Sequence, residues 1–208
     1  RRQRQMCIRD SFTTGILQRG RDGKLVEEGN GYQVDRSQRI RLGSADPDFT
    51  MGWRHDINYK NISLGLMITG RFGGIVTSQT QAFMDAFGVS KVSAEARDNG
   101  GVMLDGHRYD AERYYNTVGG QGLMSYYTYD ATNVRLQELS LTYSLPKKWL
   151  GDVFNNATIS FVGRNLFMFY RKAPFDPDMN GSTGTYNRSD FFMAPSLRNL
   201  GFSIKFSL

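Results

Sequence analysis

The chain has 208 residues, a net charge of +6 and 39% apolar residues, and no stretch approaches the roughly 18 consecutive apolar residues that a membrane-spanning helix needs. Half of the charge, +3 from Arg1, Arg2, Arg4 and Arg9 against Asp10, sits in the first eleven residues, and no later segment interleaves Lys and Arg with aromatics, which argues against a nucleic-acid surface. One cysteine, Cys7, and two histidines far apart, His55 and His107, offer no disulfide framework, zinc cluster or histidine-based triad.

The head, Arg1 to Ser11, reads RRQRQMCIRDS and has no initiator Met, apolar core or small-residue cleavage site, so it is not a signal peptide. MCIRDS resembles a translated sequencing adaptor, and residues 1–11 are therefore read as foreign, with a basic linker as the alternative and native sequence expected from about Phe12. Thr13 to Asp35 is polar and glycine-rich, with turn signals at Asp22-Gly23 and Asn30-Gly31. They predict a surface hairpin of Lys24 to Glu28 with Tyr32 to Asp35. Arg39 to Leu42 reads as a short strand ended by Gly43 and the turn Ala45 to Asp48.

From Phe49 to Tyr59 the odd positions are Phe, Met, Trp, His, Ile and Tyr, and the even ones Thr, Gly, Arg, Asp and Asn. Successive strand side chains point to opposite faces, so this is a strand with one apolar side. Eleven residues is about the length that crosses a bilayer as a tilted strand. Lys60-Asn61 makes a tight turn, and Ile62, Leu64, Leu66, Ile68 and Phe72 set the phase of a second long strand. Strands of a soluble sandwich usually stop at about five or six residues, so length favours a barrel.

Gly73-Gly74 opens an irregular region to about Asn133, with one short helix expected within Thr77 to Phe87. Val134 to Leu145 is the next strand, its phase slipping by one near Gln137-Glu138, as at a β-bulge. Pro146 stops pairing, and KKWLGDVFNN turns the chain. Ala157 to Tyr170 is a further strand, with Ile159, Phe161, Phe167 and Phe169 in phase. Lys172 to Pro195 is a second long loop, and Phe202, Ile204, Phe206 and Leu208 alternate with Ser203, Lys205 and Ser207 in a closing strand.

The expected fold class is thus all-β, an antiparallel transmembrane β-barrel segment. If the closing strand ends in the periplasm, counting backward puts 172–195 and 74–132 outside and the short turns 146–156 and 60–61 inside, the asymmetry of outer-membrane barrels. Five long strands cannot close a barrel, whose smallest form has about eight, so further strands are expected upstream.

GSADPDFTMGW, INYKNISLGLMITGRFGG, YDATNVRLQELSLTYSLPKKW, VGRNLFMF, APFDPDMNG and GFSIKFSL, in this order from about Ile40 to Leu208, resemble the C-terminal barrel segment of SusC/RagA-family TonB-linked outer-membrane proteins. Residues 12–208 then read as the C-terminal part of such a barrel. The resemblance implies a barrel of about 22 strands with an internal plug. It implies import of oligosaccharides or peptides too large for porins, with a SusD-like surface lipoprotein as lid and the TonB complex as energy source. It places the protein in the bacterial outer membrane among its lipids, with no cofactor, and assigns the plug and TonB box to sequence upstream. Tyr143, Pro146, Gly163, Arg164, Asn165, Asp176 and Pro177 belong to its structural motifs, Gly163 relieving crowding and Arg164 facing the polar lumen.

Asp176-Pro177-Asp178-Met179-Asn180-Gly181 fits the opening of a calcium loop, but the twelfth position is Asn187 instead of Glu, and a family loop-start motif is the better reading. Gly70 to Gly74 lacks the strand-then-helix setting of a phosphate loop. Asp46 and Asp48 read as a hydrogen-bonded turn, and no nucleophile, base and orienting group occur together, so no enzyme is expected. The loop tyrosines Tyr114, Tyr115, Tyr126, Tyr127 and Tyr129 are candidates for stacking on sugar rings or contacting the lid, against loop packing or anchoring at the bilayer edge. The alternative functions are a small porin-like or adhesin barrel and a secreted glycan-binding β-sandwich.

Overall fold

The computed structural model describes residues 11–150, 155–178 and 189–207. Residues 1–10 of the head, 151–154 of the turn, Leu208 of the closing strand and the calcium-like positions 179, 180, 181 and 187 lie outside them. In chain order the first elements are β1 (Ser11–Leu17), β2 (Glu27–Glu28), β3 (Gly31–Tyr32), β4 (Val34–Ser44), β5 (Phe49–Tyr59), β6 (Ile62–Phe72) and β7 (Ile75–Ser78). Helices α1 (Gln79–Ala86) and α2 (Lys91–Asp98), strands β8 (Val102–Leu104) and β9 (His107–Tyr109) and helix α3 (Ala111–Val118) follow. A 3₁₀ turn at Met124–Tyr127 leads to β10 (Thr128–Asp130), β11 (Asn133–Ser144), β12 (Asn156–Arg171), β13 (Ser189–Asp190) and β14 (Asn199–Ser207). The described residues form two compact units: a sheet unit from within 47–73, 131–178 and 195–207, and a helical unit from within 11–46, 74–130 and 189–194.

The sheet unit is one antiparallel sheet in the order β14-β12-β11-β6-β5. The hairpin β5–β6 has the predicted bounds, Tyr59 pairing with Ile62 across the two-residue turn. Lys60 takes a positive φ of 52° there, as tight hairpin turns demand. The phase slip at Gln137 is a double bulge. Between Leu136 and Glu138, β11 carries one residue more than β6, while β12 carries Asn165 and Leu166 opposite Gln137 alone. Without it Leu136 and Leu139, three apart, would face opposite sides; with it both stay on one face. Phe169, expected in phase with Phe167, falls instead at a second register shift, between the pairs Val134–Tyr170 and Arg135–Met168.

The helical unit departs further from expectation. Residues 74–130 are ordered into three eight-residue helices and short strands, where one helix in an irregular region was expected. Each helix has its own cap: the side chains of Ser78, Ser90 and Asp110 accept from the backbone N–H groups of Gln81, Ser93 and Arg113, satisfying first-turn donors that would otherwise be orphaned. Helix α1, Gln79–Ala86, falls within the span expected for it, and Ile75–Ser78 before it pairs antiparallel with β10 and parallel with β13. The predicted hairpin shrinks to β2–β3, turning at Gly29-Asn30 with Gly29 at φ 56°. Val34 and Asp35 pair instead with β1, which lengthens the strand expected at Arg39 to Leu42 into β4. The core is Leu25, Tyr32, Ala82, Tyr109, Tyr114, Val118, Leu123 and Tyr127.

Candidate functional site

The register of the sheet sorts its side chains into two faces. Tyr59, Ile62, Tyr143, Ile159 and Ile204 form one cross-strand row, and Ile57, Leu64, Leu141, Phe161 and Phe202 the next. Trp53, Ile68, Leu136 and Phe167 continue the same face beyond the bulge. No apolar layer covers it among the described residues: Trp53, Ile57, Leu141, Phe161, Phe202 and Ile204 are all exposed. The opposite face carries Asn58, Ser63, Thr142, Ser160 and Ser203 in one row and Arg54, Met67, Glu138, Arg164 and Asn199 in another. Arg54 pairs with Asp56 at 2.9 Å, Arg164 with Glu138 at 3.0 Å, and Thr142 and Ser160 share a hydrogen bond of 3.0 Å. One side therefore suits an apolar solvent and the other water.

The ends of the strands differ as well. Tyr59, Ile62, Ser144 and Asn156 lie at the end with short connections, where Pro146 leaves the ladder and accepts at its carbonyl from Trp149 in a 3₁₀ turn. Phe72, Asn133, Arg171 and Asn199 lie at the end from which the chain makes its long excursions. At that end is a feature the sequence reading did not anticipate. Arg135 is 4% exposed and binds Asp176 at 2.7 Å and Asp178 at 2.8 Å, while Arg71 reaches Asp178 at 3.3 Å. Asn165, at φ 54° in the bulge, accepts from Arg135 at 3.2 Å and donates to Ser196 at 2.8 Å and to the Leu197 carbonyl at 3.3 Å.

Asp176 also accepts from the Ser196 hydroxyl and, at 3.0 Å, from the Asp178 N–H. Burial pushes the Asp176 carboxyl up, but the Ser196 and Arg135 hydrogen bonds outweigh it and hold it below the usual carboxylate range. The pair that looked like the start of a calcium loop is engaged by arginines. Among the described residues no group of three or more His, Cys, Asp or Glu gathers to hold a metal.

This network gathers Asn165 and Asp176, with Pro177 between the two acids. Gly163 lies beneath the bulged Leu166, whose two methyls would be 2.9 Å from any added Cβ. Arg164 stands outside the knot on the polar face, and Tyr143 and Pro146 lie toward the other end of the strands.

The five candidate tyrosines do not form one surface. Tyr114 and Tyr127 are 5% and 3% exposed, which corrects their reading as ligand contacts: they pack inside the helical unit. Burial raises both hydroxyl pKa values, with Tyr126 adding at Tyr114 and Asp85 at Tyr127. Tyr115 and Tyr129 are partly buried, and burial raises them too, with Asp85 adding in each case. Tyr126 alone is exposed, and it lines a cavity of about 620 Å³ with Gln18, Arg19, Asp35 and Gln38. The helical unit also presents Phe83, Phe87, Phe191 and Phe192 as an exposed aromatic cluster, with neighbouring centroids 5.3–6.5 Å apart. Phe192 sits at φ 50°, its N–H donating to Thr80 at 2.7 Å.

No family model matches the chain. TonB-dependent receptor P3 of Formosa agariphila is 29% identical over 188 residues, covering 86% of this chain and 18% of the relative. TonB-dependent receptor P26 of the same organism is 26% identical over 156 residues, covering 73% of this chain and 15% of the relative. Among solved structures the fold matches the RagAB peptide importer in its open-open state, with a TM-score of 0.65 and 18% identity over 95% of this chain and 22% of that one. Its closed-closed state gives 0.64 and 18%, over 94% and 23%. The chain thus spans less than a quarter of the length of each of these proteins. In its ordered motifs, its two curated relatives and its barrel-segment fold the chain is similar to a portion of a SusC/RagA-type TonB-dependent receptor.

Proposed function

We propose that the chain supplies part of the wall and outer mouth of a bacterial outer-membrane transporter that imports oligosaccharides or peptides. The observation that carries this reading is the two-faced sheet. Its exposed apolar rows match lipid, its polar face matches a water-filled lumen, and its long excursions leave from one end only. TonB-dependent relatives support an energised importer, and the likeness to a peptide importer supports cargo larger than porins pass. A SusD-like surface lipoprotein is the proposed partner, meeting the outer loops where the exposed Phe cluster stands. The TonB complex would act through parts of the receptor beyond this chain. Tyr126, with Gln18, Gln38 and Asp35 around it, is the proposed cargo contact among the five tyrosines, since a ring flanked by planar polar groups suits sugars and peptides alike.

The test is membrane fractionation joined to uptake in the source bacterium. The protein should band with the outer membrane, and uptake of labelled oligosaccharide or peptide should stop when its gene is disrupted or TonB is removed. Recovery in the aqueous phase, or uptake indifferent to TonB, would overturn the proposal.

A further inference from the structure

The helical unit contains a second concavity, separate from the cavity at Tyr126. Just past helix α1, Gly88 has φ 68° and donates its N–H to the Asp85 carbonyl at 3.0 Å. The chain then turns into α2, and α2 and α3 close a cleft of about 330 Å³ against the end of α1. Its polar lining is Asp85, Ser93, Arg97, Glu112 and Asn116, and its aromatic lining is Phe87 and Tyr115. The lining of α3 follows from helical spacing: Glu112, Tyr115 and Asn116 share one face, while Tyr114, Thr117 and Val118 on the other are buried.

We infer that this cleft is a binding site for a single saccharide unit. Its volume falls at the lower end of small-ligand pockets, the scale of one ring and not of an extended chain. Two carboxylates, one guanidinium, one carboxamide and one serine hydroxyl belong to its lining residues, so donors and acceptors are mixed. Vicinal hydroxyls, each both donor and acceptor, can meet such groups together, and Phe87 and Tyr115 add apolar surface suited to a sugar's C–H groups.

An ammonium group is poorly placed at Asp85. Asp85 is 5% exposed and already accepts from the Gln81 carboxamide at 2.8 Å. An ammonium brought to it would lose its hydration for an acid that already has a donor, whereas a neutral hydroxyl avoids that cost. Gly88 sits at φ 68°, a left-handed conformation that glycine adopts without steric cost, and the terminal guanidinium nitrogen of Arg97 lies 2.7 Å from where a Cβ would stand.

This site rests on the importer reading only for its biological meaning; binding itself does not require transport. The experiment is calorimetric titration of the detergent-solubilised protein with glucose, galactose, mannose and N-acetylglucosamine, and with glycylglycine as the zwitterionic rival. Saturable binding of at least one saccharide is expected. It should weaken roughly tenfold in Glu112→Gln and in Arg97→Ala, as for loss of one charged hydrogen bond. Both changes are on exposed side chains, and circular dichroism should show an unchanged fold. Asn116→Ala gives an independent arm, weakening binding by removing the carboxamide while leaving both charged groups in place. Binding of glycylglycine alone, no saccharide binding, or saccharide binding indifferent to all three substitutions would overturn the assignment. A failure of TonB-dependent uptake with saccharide binding intact would overturn the importer reading and leave the cleft standing.

Discussion

The two units solve opposite solvent problems with one alphabet. In the helical unit, large apolar and aromatic side chains are inside: Leu25, Tyr32, Tyr109, Tyr114, Val118, Leu123 and Tyr127. In the sheet unit, Leu136 is the one large apolar residue buried among the described residues; the others buried there are Gly70, Ala131, Thr132, Asn133, Arg135, Ala157, Gly163, Ala173, Asp176 and Pro177. Its Phe, Trp, Ile and Leu side chains stand on the outer face. A protein surface in water rarely leaves so wide an apolar area uncovered without a partner for it. The difference teaches that burial must be judged against the intended solvent, and that one chain can be folded for two of them.

The largest predicted effect breaks the sheet unit at its charged interior. Arg135→Ala leaves Asp176 buried without its cation and should cost about 3–5 kcal/mol, read as a fall in the urea midpoint of the protein in lipid vesicles. The matching break in the helical unit is Leu123→Ala, which should cost about 2–5 kcal/mol by opening a cavity. Hydrogen exchange should place that loss in α1, α3 and β10 and leave β5–β6 protected.

A neighbouring pair tests the two faces directly. Leu141→Lys puts a charge on the apolar face and should cost about 2–4 kcal/mol near mid-membrane, whereas Thr142→Lys, one residue on, should be nearly neutral. Equal effects in a vesicle unfolding assay would refute the assignment of the faces. Ser78→Ala removes the cap of α1 and the hydroxyl that donates to Asp190 at 2.9 Å. A loss of about 1 kcal/mol is expected, seen as faster amide exchange in Gln79 to Gln81.

The smallest effects concern pH and have opposite signs in the two units. The Asp176 carboxyl is lowered in the fold, so its contribution is complete above the unfolded value of about 3.9 and is lost as pH falls through the folded one. The Tyr114 and Tyr127 hydroxyls are raised, so theirs is complete below about 10 and is lost as pH rises beyond it. Exchange rates measured across pH should show the sheet unit loosening in acid and the helical unit in alkali.

The sheet was legible because alternation over eleven residues has few competing explanations. Even the bulge showed as the odd spacing of Leu136 and Leu139. The helices α2 and α3 were hidden by being short and polar, at eight residues each, with too few turns to display a period. A trace existed in α3: Ala111, Tyr114 and Val118 fall at i, i+3 and i+7, the spacing of a buried stripe, which would have moved Tyr114 indoors. Arg135 could not have been found that way. Its acidic partner Asp176 is 41 residues distant, and an arginine in such a strand reads most simply as facing water.

The double bulge has a consequence for how such a chain can diverge. Without Gln137, Asn165 and Leu166 the ladder would run straight, since Leu136 and Glu138 already pair with consecutive residues of β6, Ile68 and Met67. Those three residues are thus unnecessary to the wall, yet Asn165 is the bridge from Arg135 to Ser196. The seam and its charged clasp act as a bulkhead. Insertions and substitutions in the excursions that leave this end of the sheet can accumulate without changing the pairing of the strands behind it, so the sheet keeps its dimensions while its connections diverge.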